Sequence, residues 1–147
     1  MNIILSFLLL TMPLISERQD KAEAQKDHEY GLIVCEDELA YLDNYAILLQ
    51  AKPDSRGYVI VYGGRRDTRS NQVRDRLRRI RKYLTSNRRV ESGRIIGIDG
   101  GFREAFTVEL WFVPRGAAPP KLNPTVGRRE VTYKGKGGEG DCSFFYQ

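Results

Sequence analysis

One stretch of the chain, Tyr58 to Tyr62, constrains the fold more than any other. It reads Tyr-Val-Ile-Val-Tyr, so consecutive side chains are apolar on both sides of an extended backbone. This pattern is typical of a central strand whose two faces are both covered in a sheet. Gly63 and Gly64 follow directly and are expected to end the strand. The sequence therefore requires a sheet with this strand in its interior.

Two amphipathic segments flank this strand. Residues 36–50 carry apolar side chains at spacings of three and four, and residues 71–85 carry a second apolar stripe of the same kind. Both patterns predict helices that pack one face on a core. The first stripe consists of Leu39, Leu42, Tyr45, Ala46 and Leu49, and the second of Val73, Leu77, Ile80 and Leu84.

Three further segments predict strands. Residues 30–35 form a short apolar run, residues 94–98 form another, and residues 105–113 alternate between apolar and more polar side chains. Asp99-Gly100-Gly101 predicts a turn between the last two strands. The element order is then βαβαββ, which predicts an α/β fold: a two-layer α/β sandwich with a mixed sheet and both helices on one face.

The N-terminal segment predicts export. Residues 3–15 are mostly apolar, but a membrane-spanning helix needs about 20 such residues. Ala22-Glu23-Ala24 follows and has the small-x-small spacing of a signal-peptidase site. We therefore expect residues 1–24 to be a cleaved signal peptide and the protein to reach the periplasm or cell envelope, with no membrane span after cleavage. An uncleaved anchor and a mis-assigned start codon remain the alternatives.

The remainder divides into a patterned domain at 25–113 and an irregular tail at 114–147. Residues 116–120 and 135–140 of the tail are rich in glycine and proline and show no apolar period. Only the end of the tail, Cys142 to Tyr146, is apolar enough for us to expect it to dock.

The chain has two cysteines, Cys35 and Cys142, and one histidine, His28. This composition excludes a Cys/His metal cluster, and no nucleophile has a candidate base, so we expect no metal, no cofactor and no catalytic residue. His28 lies close to the predicted cleavage site and is expected to be an exposed linker residue. In an oxidising compartment the two cysteines are candidates for a disulfide, and two buried thiols are the alternative.

The positive charge of the chain is concentrated in one segment. Residues 65–89 contain eleven Lys and Arg against Asp67 and Asp75, whereas the whole chain has a net charge of +5. A solvated basic helix face is one interpretation. An anionic partner is the other, because like charges four residues apart, such as Arg74 and Arg78, destabilise a helix. Nucleic acid is disfavoured as that partner, because exported proteins rarely meet it.

The same region resembles a known family. The strand ending in Gly63-Gly64, the helix with Arg76 seven residues before Tyr83-Leu84, and the segment Ser92 to Gly101 together resemble the peptidoglycan-associating C-terminal domain of outer-membrane protein A. The resemblance covers roughly residues 30–113. It implies an OmpA-like domain without enzymatic activity.

The resemblance also implies a ligand site. In the family, a Gly-His-Thr-Asp strand end and an arginine of the next helix bind the diaminopimelate of the peptidoglycan stem peptide. Arg66 lies here where the family has aspartate, Arg76 matches the family arginine, and Leu77 replaces the alanine after it. We therefore expect a cationic site, with Asp67 as an alternative carboxylate. The expected ligand-binding residues are Arg65, Arg66, Asp67, Asn71 and Arg76.

Two functional hypotheses follow from these features. The first is an exported, non-enzymatic OmpA-like module that binds an anionic cell-envelope component, with peptidoglycan as a candidate. The second is a structural or interaction subunit that docks an acidic protein partner through its basic helix.

Overall fold

The computed structural model describes residues 22–135. Within that range the chain forms two helices and a four-stranded mixed sheet, and the predicted βαβαββ order is confirmed. The elements are β1 (Gln25–Tyr30), α1 (Cys35–Ala51), β2 (Arg56–Gly64), α2 (Gln72–Lys82), β3 (Ile95–Arg103) and β4 (Thr107–Val113). A π-helical turn, Tyr83–Asn87, continues α2.

The sheet places β2 in its interior, as its apolar sequence predicts. The strand order is β1-β4-β2-β3. β2 is parallel to β3 and antiparallel to β4, and β4 is also antiparallel to β1. Every residue of β2 after Arg56 is buried. The sheet is mixed because the crossover through α2 makes one parallel pair, while the short β3–β4 connection brings β4 back to the other side of β2.

The first strand lies at residues 25–30, so the prediction of a strand at 30–35 is wrong. Leu32 and Val34, which suggested it, are 52% and 62% exposed in the loop before α1. β1 is polar because it is an edge strand whose residues pair only with β4. The linker assignment of His28 is also wrong, since His28 lies within β1 opposite Leu110.

The predicted turn at residues 99–101 is wrong as well, because β3 continues through it to Arg103. Its pairing with β2 shifts register between Val61 and Tyr62 and then resumes. Gly100 lies under the ring of Tyr62, where an added Cβ would come within 2.5 Å of a ring carbon. The glycine therefore serves close packing rather than chain reversal.

One hydrophobic core joins both helices to a single face of the sheet. Val59 and Val61 of β2 and Leu110 of β4 pack in the same buried cluster as Leu42 of α1 and Ile80 of α2. Burial of such side chains is the largest favourable contribution to the free energy of folding. The predicted placement of both helices on one face agrees with this core. Among residues 22–135, no helix combines the length and apolar content needed to cross a bilayer.

The segment after β4 covers part of the opposite face. Val126 forms an antiparallel bridge with Phe102, and the backbone N–H of Asn123 lies 3.3 Å from the hydroxyl of Tyr62. The guanidinium of Arg103 lies 3.7 Å from the centre of the Tyr62 ring. The tail therefore docks well before Cys142, and the expectation that only its last apolar residues would dock is wrong. Cys142 itself lies outside the described residues.

Glu109 is a buried carboxylate on this second face. It is 1% exposed and accepts hydrogen bonds from Lys26 Nζ at 2.8 Å, Trp111 Nε1 at 2.9 Å and Arg103 Nη2 at 3.0 Å. Burial by itself raises the pKa of this carboxyl, but the three donors outweigh burial and hold its pKa below the usual range.

We predict that Glu109→Gln destabilises the protein at neutral pH and much less in acid. A pKa that is lower in the folded than in the unfolded state gives stability that is present above the unfolded value, about 4.3 for Glu. This stability is lost as the pH falls through the folded pKa. Urea unfolding at pH 7 and pH 3 should show the free energies of wild type and variant converging in acid. The exposed control Glu91→Gln should change the free energy of unfolding little at either pH. If Glu109→Gln lowered that free energy by the same amount at pH 7 and at pH 3, the prediction would be wrong.

Candidate functional site

A cavity of about 550 Å³ lies at the carboxyl ends of β1 and β2. Both strands are antiparallel to β4, so they run in the same direction and their following loops meet at one edge of the sheet. The lining residues come from the loop before α1 and its first turn, from the loop before α2, from α2 and from the tail. They are Leu32, Ile33, Val34, Cys35, Glu36, Asp67, Arg69, Gln72, Arg76, Arg79 and Lys134.

A buried ion triad fixes the two helix arginines of this cavity. Glu38 of α1 is 1% exposed. Its Oε1 lies 2.7 Å from Arg76 Nη1, and its Oε2 lies 2.9 Å from Arg79 Nη2. The hydroxyl of Tyr30 donates to the same Oε1 at 3.2 Å. Each carboxylate oxygen thus holds one guanidinium, which orients both arginines relative to α1.

Asp67 is held against the end of β2. Its Oδ2 accepts the backbone N–H of Phe106 at 3.2 Å. Its Oδ1 is buried with no hydrogen-bond partner among residues 22–135 and packs on Gly64, where a Cβ would overlap it. The N–H of Gly64 donates to Thr68 Oγ1 in the same loop. A glycine at the last position of β2 is therefore required for the carboxylate to fold back over the backbone.

The lining of the cavity contains charges of both signs. Four basic side chains and two acidic ones, Glu36 and Asp67, surround it. The exposed side chains of Leu32 and Val34 form an apolar rim on the β1–α1 loop. Such a lining fits a ligand that carries carboxylate and ammonium groups and has a net negative charge.

The structure brings together only two of the five predicted ligand-binding residues, Asp67 and Arg76. Arg66 is exposed and does not line the cavity. Asn71 precedes α2 and lines an adjacent cavity of about 510 Å³ with Asp99 and Tyr133. The expected convergence of Arg65, Arg66 and Arg76 on one pocket does not occur.

Arg65 turns away from the cavity because two glutamates bind it. Its guanidinium lies 2.7 Å from Glu104 and 2.9 Å from Glu130. These hydrogen bonds raise the pKa of Arg65, and they lower the pKa of Glu104. Glu104 lies in the β3–β4 turn and Glu130 in a short helical turn of the tail, so neither was an evident partner in the sequence.

Sequence reasoning missed Arg69, Arg79, Lys134 and the positioning residue Glu38. Arg79 could have been found, because it lies three residues after Arg76 and therefore on the same face of the helix. Glu38 had a weaker signal in the cluster of acidic residues at the start of α1. Its contact with Arg76 joins residues 38 positions apart and carries no local pattern.

The acidic first helix neutralises part of the basic segment. Glu38 binds Arg76 and Arg79, while Asp43 binds Arg88 and accepts a hydrogen bond from the Tyr83 hydroxyl at 2.6 Å. The outward-facing part of the helix stays exposed and basic. It contains Arg74, Arg78, Arg81 and Lys82.

Comparison with known proteins does not identify a function for this site. No protein-family model matches the chain, and no curated protein is significantly similar to it. In residues 22–135, no group of three His, Cys, Asp or Glu side chains could hold a metal ion. The functional interpretation therefore depends on the cavity and on the charges that line it.

We predict that Glu38→Ala destabilises the protein by about 3–5 kcal/mol, because it leaves two inward-facing guanidiniums without their shared carboxylate. The control Glu36→Ala changes an exposed residue two positions earlier on the same helix. It should lower the free energy of unfolding by only about 0.3–1 kcal/mol, because it removes a negative charge from the positive end of the helix dipole. Chemical denaturation of both variants measures the difference. Equal losses would show that the triad does not stabilise the fold.

Proposed function

We propose that the protein is an exported, non-enzymatic OmpA-like module of the cell envelope that binds an anionic envelope component, with the peptide stem of peptidoglycan as its candidate ligand. One observation carries this proposal: Asp67 and Arg76 line the same cavity. A carboxylate and a guanidinium are the two groups that the resemblance to outer-membrane protein A implies for binding diaminopimelate.

The element order supports the same proposal. The resemblance implies a strand, a loop with a binding residue, a helix with an arginine and a further strand. The chain has β2, the loop with Asp67, α2 with Arg76 and then β3, which is parallel to β2. Asp67 follows Arg66, the position matched to the family aspartate, by one residue. Its backbone contact with Phe106 brings the carboxylate back to the strand end.

The chemistry of the cavity suits a ligand of both signs rather than a simple anion. The far end of diaminopimelate carries an ammonium and a carboxylate on one carbon. Asp67 can accept the ammonium, while the basic side chains that line the cavity can donate to the carboxylate. This geometry revises the purely cationic site expected from Arg65 and Arg66.

The net charge of the lining favours a stem peptide with further carboxylates. Four basic and two acidic side chains line the cavity, and the charge around it stays positive after Glu38 compensates one of the two charges of Arg76 and Arg79. Attraction between such a lining and an anionic ligand weakens as salt screens it. Binding should therefore weaken as the ionic strength rises. Because the lining has charges of both signs, it should still discriminate between ligands of equal net charge whose ammonium groups lie at different positions.

We predict that Asp67→Asn weakens binding of a diaminopimelate-containing muropeptide by about 10- to 100-fold, corresponding to one charge-assisted hydrogen bond of about 1.5–3 kcal/mol. The amide oxygen can still accept the Phe106 N–H, so the loop should keep its shape. Calorimetry with the native protein, this variant and the exposed control Arg66→Ala measures the effect. A muropeptide with lysine in place of diaminopimelate lacks one carboxylate and should bind more weakly. The site assignment is wrong if Arg66→Ala weakens binding and Asp67→Asn does not.

A second candidate function uses the outer face of α2. Arg74, Arg78 and Lys82 are exposed there, and Arg78 is 3.4 Å from Asp75 on the same helix. This basic surface would suit an acidic protein partner. It is separate from the cavity arginines, so substitutions can tell the two functions apart.

We predict that the double variant Arg74→Glu and Arg78→Glu leaves sedimentation with purified sacculi unchanged, because neither side chain lines the cavity at the strand ends. Sedimentation of the native protein and the variant with sacculi measures this. Loss of sedimentation in the variant would contradict the cavity as the binding site, and loss of a stoichiometric protein partner from the variant would favour the second function.

A further inference from the structure

The described part of the tail forms one wall of the adjacent cavity of about 510 Å³, which contains Asn71, Asp99 and Tyr133. We call it the tail cavity. It lies where β3 ends and α2 begins. Within residues 22–135, only Arg69 and Gln72 line both this cavity and the candidate cavity at the ends of β1 and β2. The two cavities are therefore neighbours with different walls.

Specific contacts hold this wall in place. The backbone N–H of Val126 donates to the carbonyl of Phe102 at 3.1 Å, and that of Thr132 donates to the carbonyl of Arg65 at 2.8 Å. The ring of Tyr133 packs edge-on against that of Phe102, with the ring centres 6.3 Å apart. The short stretch of tail between these contacts is therefore held beside the ends of β2 and β3.

Two arginines of the tail cavity have no counter-ion in the described part of the chain. Arg74 comes from the first turn of α2 and Arg128 from the tail, and both are exposed and line the cavity. Neither forms an ion pair with another residue of 22–135. The lining also contains Asp99, whose Oδ1 accepts the backbone N–H of Gly101 at 2.9 Å. Two uncompensated guanidiniums from different segments therefore border one cavity.

The lining of the tail cavity also has an apolar part. It is formed by Phe102 of β3 and by Pro124 and Val126 of the tail. Tyr133 lines the same cavity and is 42% exposed, so its ring is accessible to a ligand. An apolar or aromatic group that covers such surface is stabilised by the removal of that surface from water. The cavity can therefore hold an organic group next to an anion.

The two guanidiniums suit a phosphate better than a carboxylate. A phosphate monoester carries a charge of about −1.5 to −2 at pH 7 and three acceptor oxygens. Each guanidinium can donate two parallel N–H groups to such an anion. A carboxylate has one charge and two oxygens, so it can satisfy only one guanidinium in this way.

We propose that the tail cavity binds an organic phosphate, with the phosphate held by Arg74 and Arg128 and the organic group packed on Tyr133. This binding goes beyond the function proposed above and does not depend on it, because that function uses Asp67 and Arg76 of the other cavity. A soluble phosphate ester and the headgroup of a phospholipid both present this chemistry.

Calorimetry with phenyl phosphate and benzoate tests the anion that the cavity selects. The native protein should bind phenyl phosphate more tightly than benzoate, which has the same ring but a carboxylate. Arg128→Ala should weaken binding of phenyl phosphate about tenfold or more, because it removes a charged hydrogen-bond donor. The control Arg129→Ala removes an equal charge from an exposed neighbour that does not line the cavity, and it should bind like the native protein. Equal affinities for the two probes, or equal losses in the two variants, would overturn the proposal.

Sedimentation with lipid vesicles distinguishes the two sources of the phosphate. If the source is a lipid headgroup, the native protein and Arg129→Ala should sediment with phosphatidylcholine vesicles that contain phosphatidic acid, but not with pure phosphatidylcholine vesicles, and Arg128→Ala should sediment with neither. If the source is a soluble ester, phenyl phosphate should bind while both kinds of vesicle leave the protein in solution. Failure to bind either phenyl phosphate at millimolar concentration or the phosphatidic acid vesicles would overturn the proposal.

Binding of the diaminopimelate-containing muropeptide separates this site from the proposed function. Arg128→Ala should bind the muropeptide like the native protein, because Arg128 does not line the candidate cavity. If the native protein binds phenyl phosphate but not the muropeptide, the proposed function is wrong and the phosphate site stands. If Arg128→Ala loses both ligands to the same extent, the tail cavity is not a separate site and the proposal is overturned.

Discussion

The buried contact of Glu38 with Arg76 and Arg79 is the interaction on which the rest of the site depends. Removing three charged groups from water is costly, and their mutual attraction compensates only when the geometry is good. Here Glu38 Oε1 lies 2.7 Å from Arg76 Nη1, and Glu38 Oε2 lies 2.9 Å from Arg79 Nη2. The contact joins the first turn of α1 to the middle of α2. It therefore fixes how the two helices meet above the sheet and where the arginines enter the cavity.

Once the helices are fixed in this way, the loops at the ends of β1 and β2 complete the cavity. Gly64 allows Asp67 to fold back onto the strand end, and the Phe106 N–H holds the carboxylate there. The described tail follows the β2–α2 loop to the same place. Strand ends, helix arginines and tail thus converge at one point, and this convergence makes the cavity a better candidate for ligand binding than the exposed outer face of α2.

The parts of the fold that follow from local patterns could be predicted, and those that depend on distant partners could not. The apolar run of β2 and the stripes of α1 and α2 identified the interior strand and both helices, because burial alone explains their composition. β1 was misplaced because an edge strand needs few apolar side chains, and the apolar residues after it form the rim of the cavity. For Arg65 and Arg76, the positive charge was evident, but the glutamates that bind them are far away in the chain, and only Arg76 lines the cavity.

The most direct test of this account is to map the ligand on the native protein by nuclear magnetic resonance. Titration with a diaminopimelate-containing muropeptide should shift backbone amide signals of the residues that line the cavity, which are 32–36, 67, 69, 72, 76 and 79. Signals of Arg74, Arg78 and Lys82 on the outer face of α2 should shift less. Shifts confined to that outer face, or no shifts at millimolar muropeptide, would contradict the assignment of the cavity as the binding site.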